Sequence, residues 1–173
     1  MNEITQLLTR LERWLKAQRP RFLEDLAPAA GVAELNELRS LLGGRLPDGL
    51  AALLSWHNGE RPGAAGYFVE HWRLMSSDDI IEATTELKRP PARDRPEDRW
   101  DAAWIPFLDD DECNYTCLDS SRPGEPVREV IFGHPRQEAV ASSLTAWLAD
   151  FVAAVERGEY VEDEERGVFM RRK

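Results

Sequence analysis

Three histidines, two cysteines and the run of four acids at 109–112 are the residues of this 173-residue chain with types and positions suited to chemistry. His57, His71 and His134 stand far apart, and no two share the i, i+4 spacing that presents two imidazoles to a metal from one helix face. His57 closes an apolar helical stretch, where an imidazole meets the negative end of the helix dipole and can cap it. On a single strand, Cys113 and Cys117 would face the same side roughly 13 Å apart. A disulfide needs Cα atoms within about 7 Å, so pairing would require a tight turn at Asn114-Tyr115. They read as reduced thiols, with Cys117 packed in the core. The chain has no Gly-x-Ser-x-Gly elbow, no Gly-x-Gly-x-x-Gly fingerprint and no Gly-Lys-Ser/Thr phosphate loop. Asp109, Asp110, Asp111 and Glu112 offer paired carboxylates, but a hydrolase needs two of them at fixed separation in a cleft. A calcium loop would need alternating ligands and a glycine. The residues therefore predict no catalytic machinery, no cofactor and no metal.

What four adjacent acids suit is a basic partner. The net charge is −10. The first 58 residues carry equal numbers of acids and bases, so the whole excess falls in residues 59–173. A net acidic surface repels nucleic-acid phosphates and anionic lipid heads. It speeds encounter with a basic protein more than it deepens affinity. Tyr67, Phe68 and Trp72 lie among Gly66, Glu70 and His71. Such aromatics beside acids read either as interface anchors or as a satellite cluster beneath a loop. The candidate contact set is Asp109, Asp110, Asp111, Glu112, Glu70 and Trp72, with no nucleic acid and no membrane as partner.

Positioning these groups falls to alternating helical and extended segments. Ile4, Leu7, Leu8, Leu11, Trp14 and Leu15 recur at helical spacing over residues 2–18, and Pro20 ends that helix or lies just past its end. A second helix is expected over 33–42, stopped by Gly43-Gly44, and a third over 49–56 closed by His57-Asn58-Gly59. Residues 67–69 and 72–75 read as short extended runs, and Ser76 caps a helix to about Leu87. Residues 88–99, rich in Pro, Arg and Asp, read as an exposed connector. Residues 104–108 and 115–118 form two strands around the acidic run, and 127–132 a third. Ser142-Ser143 caps a last helix carrying Leu144, Trp147, Leu148, Phe151, Val152 and Val155, and Gly158 ends it. Residues 159–173 are expected as an acidic-to-basic tail. The composition, 42% apolar and 31% charged, suits one soluble globular α+β domain with helices on a mainly antiparallel sheet. No apolar run approaches the ~20 residues of a membrane span, and no signal peptide is visible, so the cytoplasm is the expected compartment. Arginine far outnumbers lysine and alanine is abundant, a composition typical of a high-GC bacterium.

That order of elements, with its punctuation, resembles the SUKH superfamily. The resemblance is carried by Leu46-Pro47 with the apolar helix to Trp56 and His57-Asn58-Gly59, and by Leu74-Met75-Ser76-Ser77-Asp78-Asp79-Ile80. Trp104-Ile105-Pro106-Phe107, Cys117-Leu118-Asp119, Val130-Ile131-Phe132 and Ser142-Ser143-Leu144 complete it, over a core of about 34–155. Such domains often have glycines where this chain has residues 109–112. The superfamily includes bacterial immunity proteins and the fungal cell-wall assembly regulator. The resemblance thus implies a protein-binding module that neutralises a cognate toxin or effector by occluding its active site, or else a regulatory scaffold with no toxin partner.

Overall fold

The computed structural model describes residues 2–89, 100–134, 139–163 and 168–172. Helix α1 spans Glu3–Gln18, with the Asn2 side chain accepting the Thr5 N–H at 3.0 Å as its N-cap. Its apolar stripe Ile4, Leu7, Leu8, Leu11 and Leu15 is buried against α6, Leu144–Glu156. Pro20 does not merely follow a helix but opens a new one, α2, Pro20–Asp25. Proline at the first helical position loses no hydrogen bond, so the chain turns at Arg19 and re-enters helix at once. Helices α3, Val32–Leu41, and α4, Asp48–Trp56, follow within a residue of expectation.

Strand β1 is only Arg73–Leu74; Tyr67 lies outside any strand, and Val69 meets Trp72 across a tight turn. Helix α5, Ser77–Leu87, starts on a reciprocal cap in which Ser76 and Asp79 satisfy each other's backbone N–H. Strands β2, Trp104–Asp109, β3, Tyr115–Asp119, and β4, Val127–Val130, complete a four-stranded antiparallel sheet in the order β1-β2-β3-β4. Pro106 sits inside β2 beside a register shift between Pro106 and Leu108, where the ladder does not need its missing N–H. Strand β4 stops at Val130 rather than Phe132, because the Phe132 N–H turns aside to the Asn114 side chain at 3.1 Å. The sheet's buried residues Phe107, Leu108 and Leu118 join one core with the α1, α4 and α6 stripes. Most of the expected connector, residues 90–99, lies outside the described residues.

The expected tail proves to be structured. Strands β5, Tyr160–Asp163, and β6, Val168–Arg171, pair as a hairpin whose Phe169 is 2% exposed. Phe169 packs on Trp14 and Tyr160, and its backbone bridges to Glu70. Arg19 holds the hairpin down, its guanidinium lying 4.2 Å from the Phe22 ring and 4.1 Å from the Phe169 ring. It also donates to Tyr67 O and to Glu162 Oε1. One apolar residue and one buried arginine thus convert a highly charged segment into packed structure.

The tightest backbone contact in the fold is at Gly59. It has φ +78°, and a Cβ there would lie 2.4 Å from Ser76 N and 2.7 Å from the Met75 carbonyl carbon. Gly63 has φ +82° but open space around it. Gly59→Ala should therefore cost about 3 kcal/mol or more, from clash added to backbone strain, against about 1 kcal/mol for Gly63→Ala. Urea unfolding of the two variants checks this; equal costs would contradict the close-approach reading.

Candidate functional site

Gly59 brings its neighbour Glu60 against the start of the sheet. The Glu60 N–H donates to Leu74 O at 3.0 Å, and Glu60 Oε1 accepts the Leu74 N–H at 3.0 Å. Glu60 Oε2 accepts from Arg73 at 3.3 Å, and the side chain is only 4% exposed. Arg73 also donates from Nε to Asp111 Oδ2 at 2.5 Å, reaching across from β1 to the loop that follows β2. The register explains the meeting, since Arg73 pairs with Asp109 in the ladder.

Around this pair opens a cleft of about 630 Å³. Its carboxylates are Glu60, Asp78, Asp79, Asp109 and Asp111, and among the described residues that line it the opposing cations are Arg61 and Arg73. Burial pushes Glu60 up to about 7, although the Leu74 N–H and Arg73 pull the other way. Burial likewise pushes Asp109 up to about 6, and the nearby charges of Asp111 and Asp79 add to it. Both carboxyls sit where added positive charge would stabilise their ionised form. Among the described residues no three His, Cys, Asp or Glu side chains are grouped as a metal ion would need.

The acidic run that the sequence singles out divides between two tasks. Asp109 and Asp111 line the cleft, and Glu112 is exposed beside it. Asp110 instead builds the loop: its carboxylate accepts the N–H groups of Glu112 and Asn114 and the Asn114 amide at 2.6 Å. Asp111 and Cys113 take φ +61° and +67°, left-handed conformations that a glycine would adopt freely. Asp tolerates that region better than most side chains. Glu70 lies away from the cleft, half-buried at a small second pocket.

Trp72 requires a correction. It is 3% exposed and belongs to the core, so it cannot serve as an exposed interface anchor. Phe68 is buried as well, and the aromatic cluster beneath a loop is the reading that holds for both. The alternation of apolar and charged residues at 68–75 does not reveal this, because their neighbours are remote in sequence: Phe68 packs on Phe22, Trp56 and Phe151, and Trp72 lines one pocket with Phe151 and Tyr160.

The remaining reactive residues have structural places. His57 is the C-cap residue of α4, its backbone N–H reaching Leu53 O at 3.1 Å, while its ring bonds elsewhere: Nδ1 meets Ala27 O at 2.6 Å and Nε2 meets Glu12 at 3.2 Å, tying α4 to α1. Cys113 is exposed and Cys117 buried, both as free thiols, and burial pushes the Cys117 thiol far up. Asp119 stays below the usual carboxylate range although burial opposes it, held by Ser121 and Arg128. Glu60, Asp78, Asp79, Arg61 and Arg73 escape sequence reasoning as a group, because only the fold joins residues 60, 73, 79 and 109.

The family model described as SMI1 / KNR4 family (SUKH-1) matches residues 30–150. No protein of curated function matches the chain. The matched span contains every residue of the cleft except Ala27, while α1, Arg19 itself and the β5–β6 hairpin lie outside it. No helix among the described residues is long and apolar enough to cross a membrane.

The raised carboxyls give the fold a pH signature. With folded values above the ordinary ones, Glu60 and Asp109 bind protons more tightly in the folded chain than in the unfolded chain. Their contribution is fully present below pH ~4 and is lost as pH rises through about 6 to 7. Unfolding free energy should fall by on the order of 2 kcal/mol between pH 5 and pH 7.5. Glu60→Gln should flatten most of that slope; chemical denaturation across the range measures it, and an unchanged slope would contradict the assignment.

Proposed function

The chain belongs to the SMI1/KNR4 family (SUKH-1), and from that premise we propose that it is a protein-binding module of the immunity type. In this reading it neutralises a cognate toxin by seating a basic surface of that toxin over the acidic cleft, occluding the active site or substrate groove. The observation that carries it is the cleft itself, five carboxylates against two guanidinium groups. Two of those carboxyls are held up by burial and would ionise more readily as positive charge arrives.

A toxin that acts on nucleic acid presents a basic groove, and carboxylates on a shaped surface can stand in for the phosphates it expects. Asp109, Asp111 and Glu112 face or flank the cleft and form the centre of the contact, with Glu70 engaging from its separate pocket. Asp110 supports from behind by fixing the loop. A stable complex of this kind buries about 800 Å² on each partner, more than the cleft alone supplies, so its rim takes part. Long-range attraction speeds association, while the shape of the loop selects among basic partners.

The product of the adjacent gene is the natural partner to try. Pull-down and calorimetry should give a nanomolar complex; absence of one with a toxic neighbour would refute the proposal. Asp78→Lys with Glu112→Lys, both on exposed side chains, should weaken that complex at least tenfold, about 1.4 kcal/mol. Deleting the gene should kill only cells that carry the toxin. A defect in cells without it would favour the regulatory role instead.

A further inference from the structure

Away from the acidic cleft, a second and smaller pocket of about 90 Å³ lies between the sheet, α6 and the Val69–Trp72 turn. Thr116 and Glu129 are paired in register on β3 and β4, so their side chains share one face of the sheet. Trp147 and Phe151 of α6 line the same pocket, and Tyr160 closes it from the hairpin. Trp147 stacks on Phe151 at 5.9 Å, and Phe151 meets Tyr160 edge-on at 5.4 Å, giving a continuous aromatic wall.

Two polar groups of this pocket, Thr116 and Glu129, are left unanswered. Thr116 is 1% exposed, and its Oγ1 has no hydrogen-bond partner among the described residues. A buried hydroxyl in that state costs about 1–3 kcal/mol, which a valine of the same shape would avoid. The Glu129 carboxylate is half-buried, and no described donor reaches it. Burial raises it, and the charge of Glu70 raises it further while His71 opposes. Glu70 is fixed by its backbone, with φ +55° and its N–H on Phe169 O at 2.7 Å. The nearby cation Arg171 is already engaged, by Asp150, which lines the pocket, and by Glu159. His71 is exposed and stacks on Trp72 at 4.6 Å.

We infer that this pocket receives the cationic head of a single lysine or arginine side chain from the partner protein. Its carboxylates supply charge-assisted acceptors, Thr116 Oγ1 supplies a neutral one, and the aromatic wall supplies cation–π faces. The volume leaves room for an ammonium or guanidinium head. Water could fill the space but would leave the repulsion between Glu129 and Glu70 unanswered. Pockets that swallow one long side chain are where interfaces concentrate their energy. The inference rests on the proposal that a basic protein is the partner, and it adds a second anchoring point to the cleft.

Full-length ¹⁵N-labelled protein, titrated with small amides and followed by NMR, tests the pocket with no partner present. N-acetyl-lysine methylamide and N-acetyl-arginine methylamide are the probes, and N-acetyl-norleucine methylamide is the apolar control. At least one cationic amide should shift the Trp147 indole and the Thr116 and Glu129 amides saturably, with a dissociation constant on the order of 1–10 mM, as expected of so small a ligand. The tighter of the two names the head group, and norleucine should leave those signals in place. Glu129→Gln should weaken binding at least fivefold. Thr116→Val should weaken it too without lowering the melting temperature, which keeps the test open if Glu129→Gln folds poorly. Equal shifts with norleucine, no saturation by either cation, or cation binding untouched by Thr116→Val would overturn the inference. Because no partner is present, such a failure would leave the complex with the adjacent gene product standing. Loss of that complex alone would instead strike the proposed function.

Discussion

The close approach of Gly59 to residues 75–76 is the constraint on which the rest of the molecule depends. With no side chain at that point, the segment after α4 lies directly on the segment between β1 and α5. Hydrogen bonds exploit the contact on both sides. Asn58 accepts the Ser77 N–H at 2.7 Å and donates to Glu34 of α3, while Glu60 pairs with Leu74. Gly59 O accepts the Ala27 N–H, and Arg61 N–H reaches Asp25 O, so the chain after α2 is bound to the same seam. Helices and sheet are thereby joined through backbone rather than through apolar packing alone. Glu60 becomes the inner wall of the acidic cleft because of where that seam runs.

A second joint lies at Arg19, outside the family-matched span. An arginine whose side chain is 3% exposed would be costly to bury alone. Two aromatic faces, a carbonyl and Glu162 answer it together, and Glu162 itself remains about half exposed. The arrangement closes the chain on itself, bringing α2 and the C-terminal hairpin together over Tyr67. It also determines what the hairpin covers: Phe169 seals the core, and Tyr160 becomes a wall of the second pocket.

Much of the fold was legible in the sequence because its signals are local. Helical stripes, Ser76 and Ser143 as caps, and apolar runs flanking an acidic loop each act over a few residues, and those helices and strands formed within about three residues of expectation, whereas the run at 67–69 formed no strand and α2 was not expected. Errors arose where distant residues decide the outcome. Residues 159–173 read as a tail because their charge dominates; only the docking of Phe169 and Arg19 gives them a surface to fold against. Trp72 read as a candidate anchor because nothing local shows that it joins the core. Of the site, the acids at 109–112 were visible and their division of labour was not. Asp110 and Asp111 are neighbours of identical type, yet one holds the loop and the other meets Arg73 across the cleft.

The functional account joins these joints to electrostatics. The fold concentrates carboxylates in a cleft of about 630 Å³ and buries two of them enough to raise their affinity for protons. Hydrogen–deuterium exchange on the chain, alone and with the adjacent gene product, tests that claim most directly. The account predicts slowed exchange at residues 58–62, 73–79 and 109–114, with the far ends of α1 and α3 unchanged. Protection confined to those helices, with the cleft exchanging as freely as in the isolated chain, would contradict it.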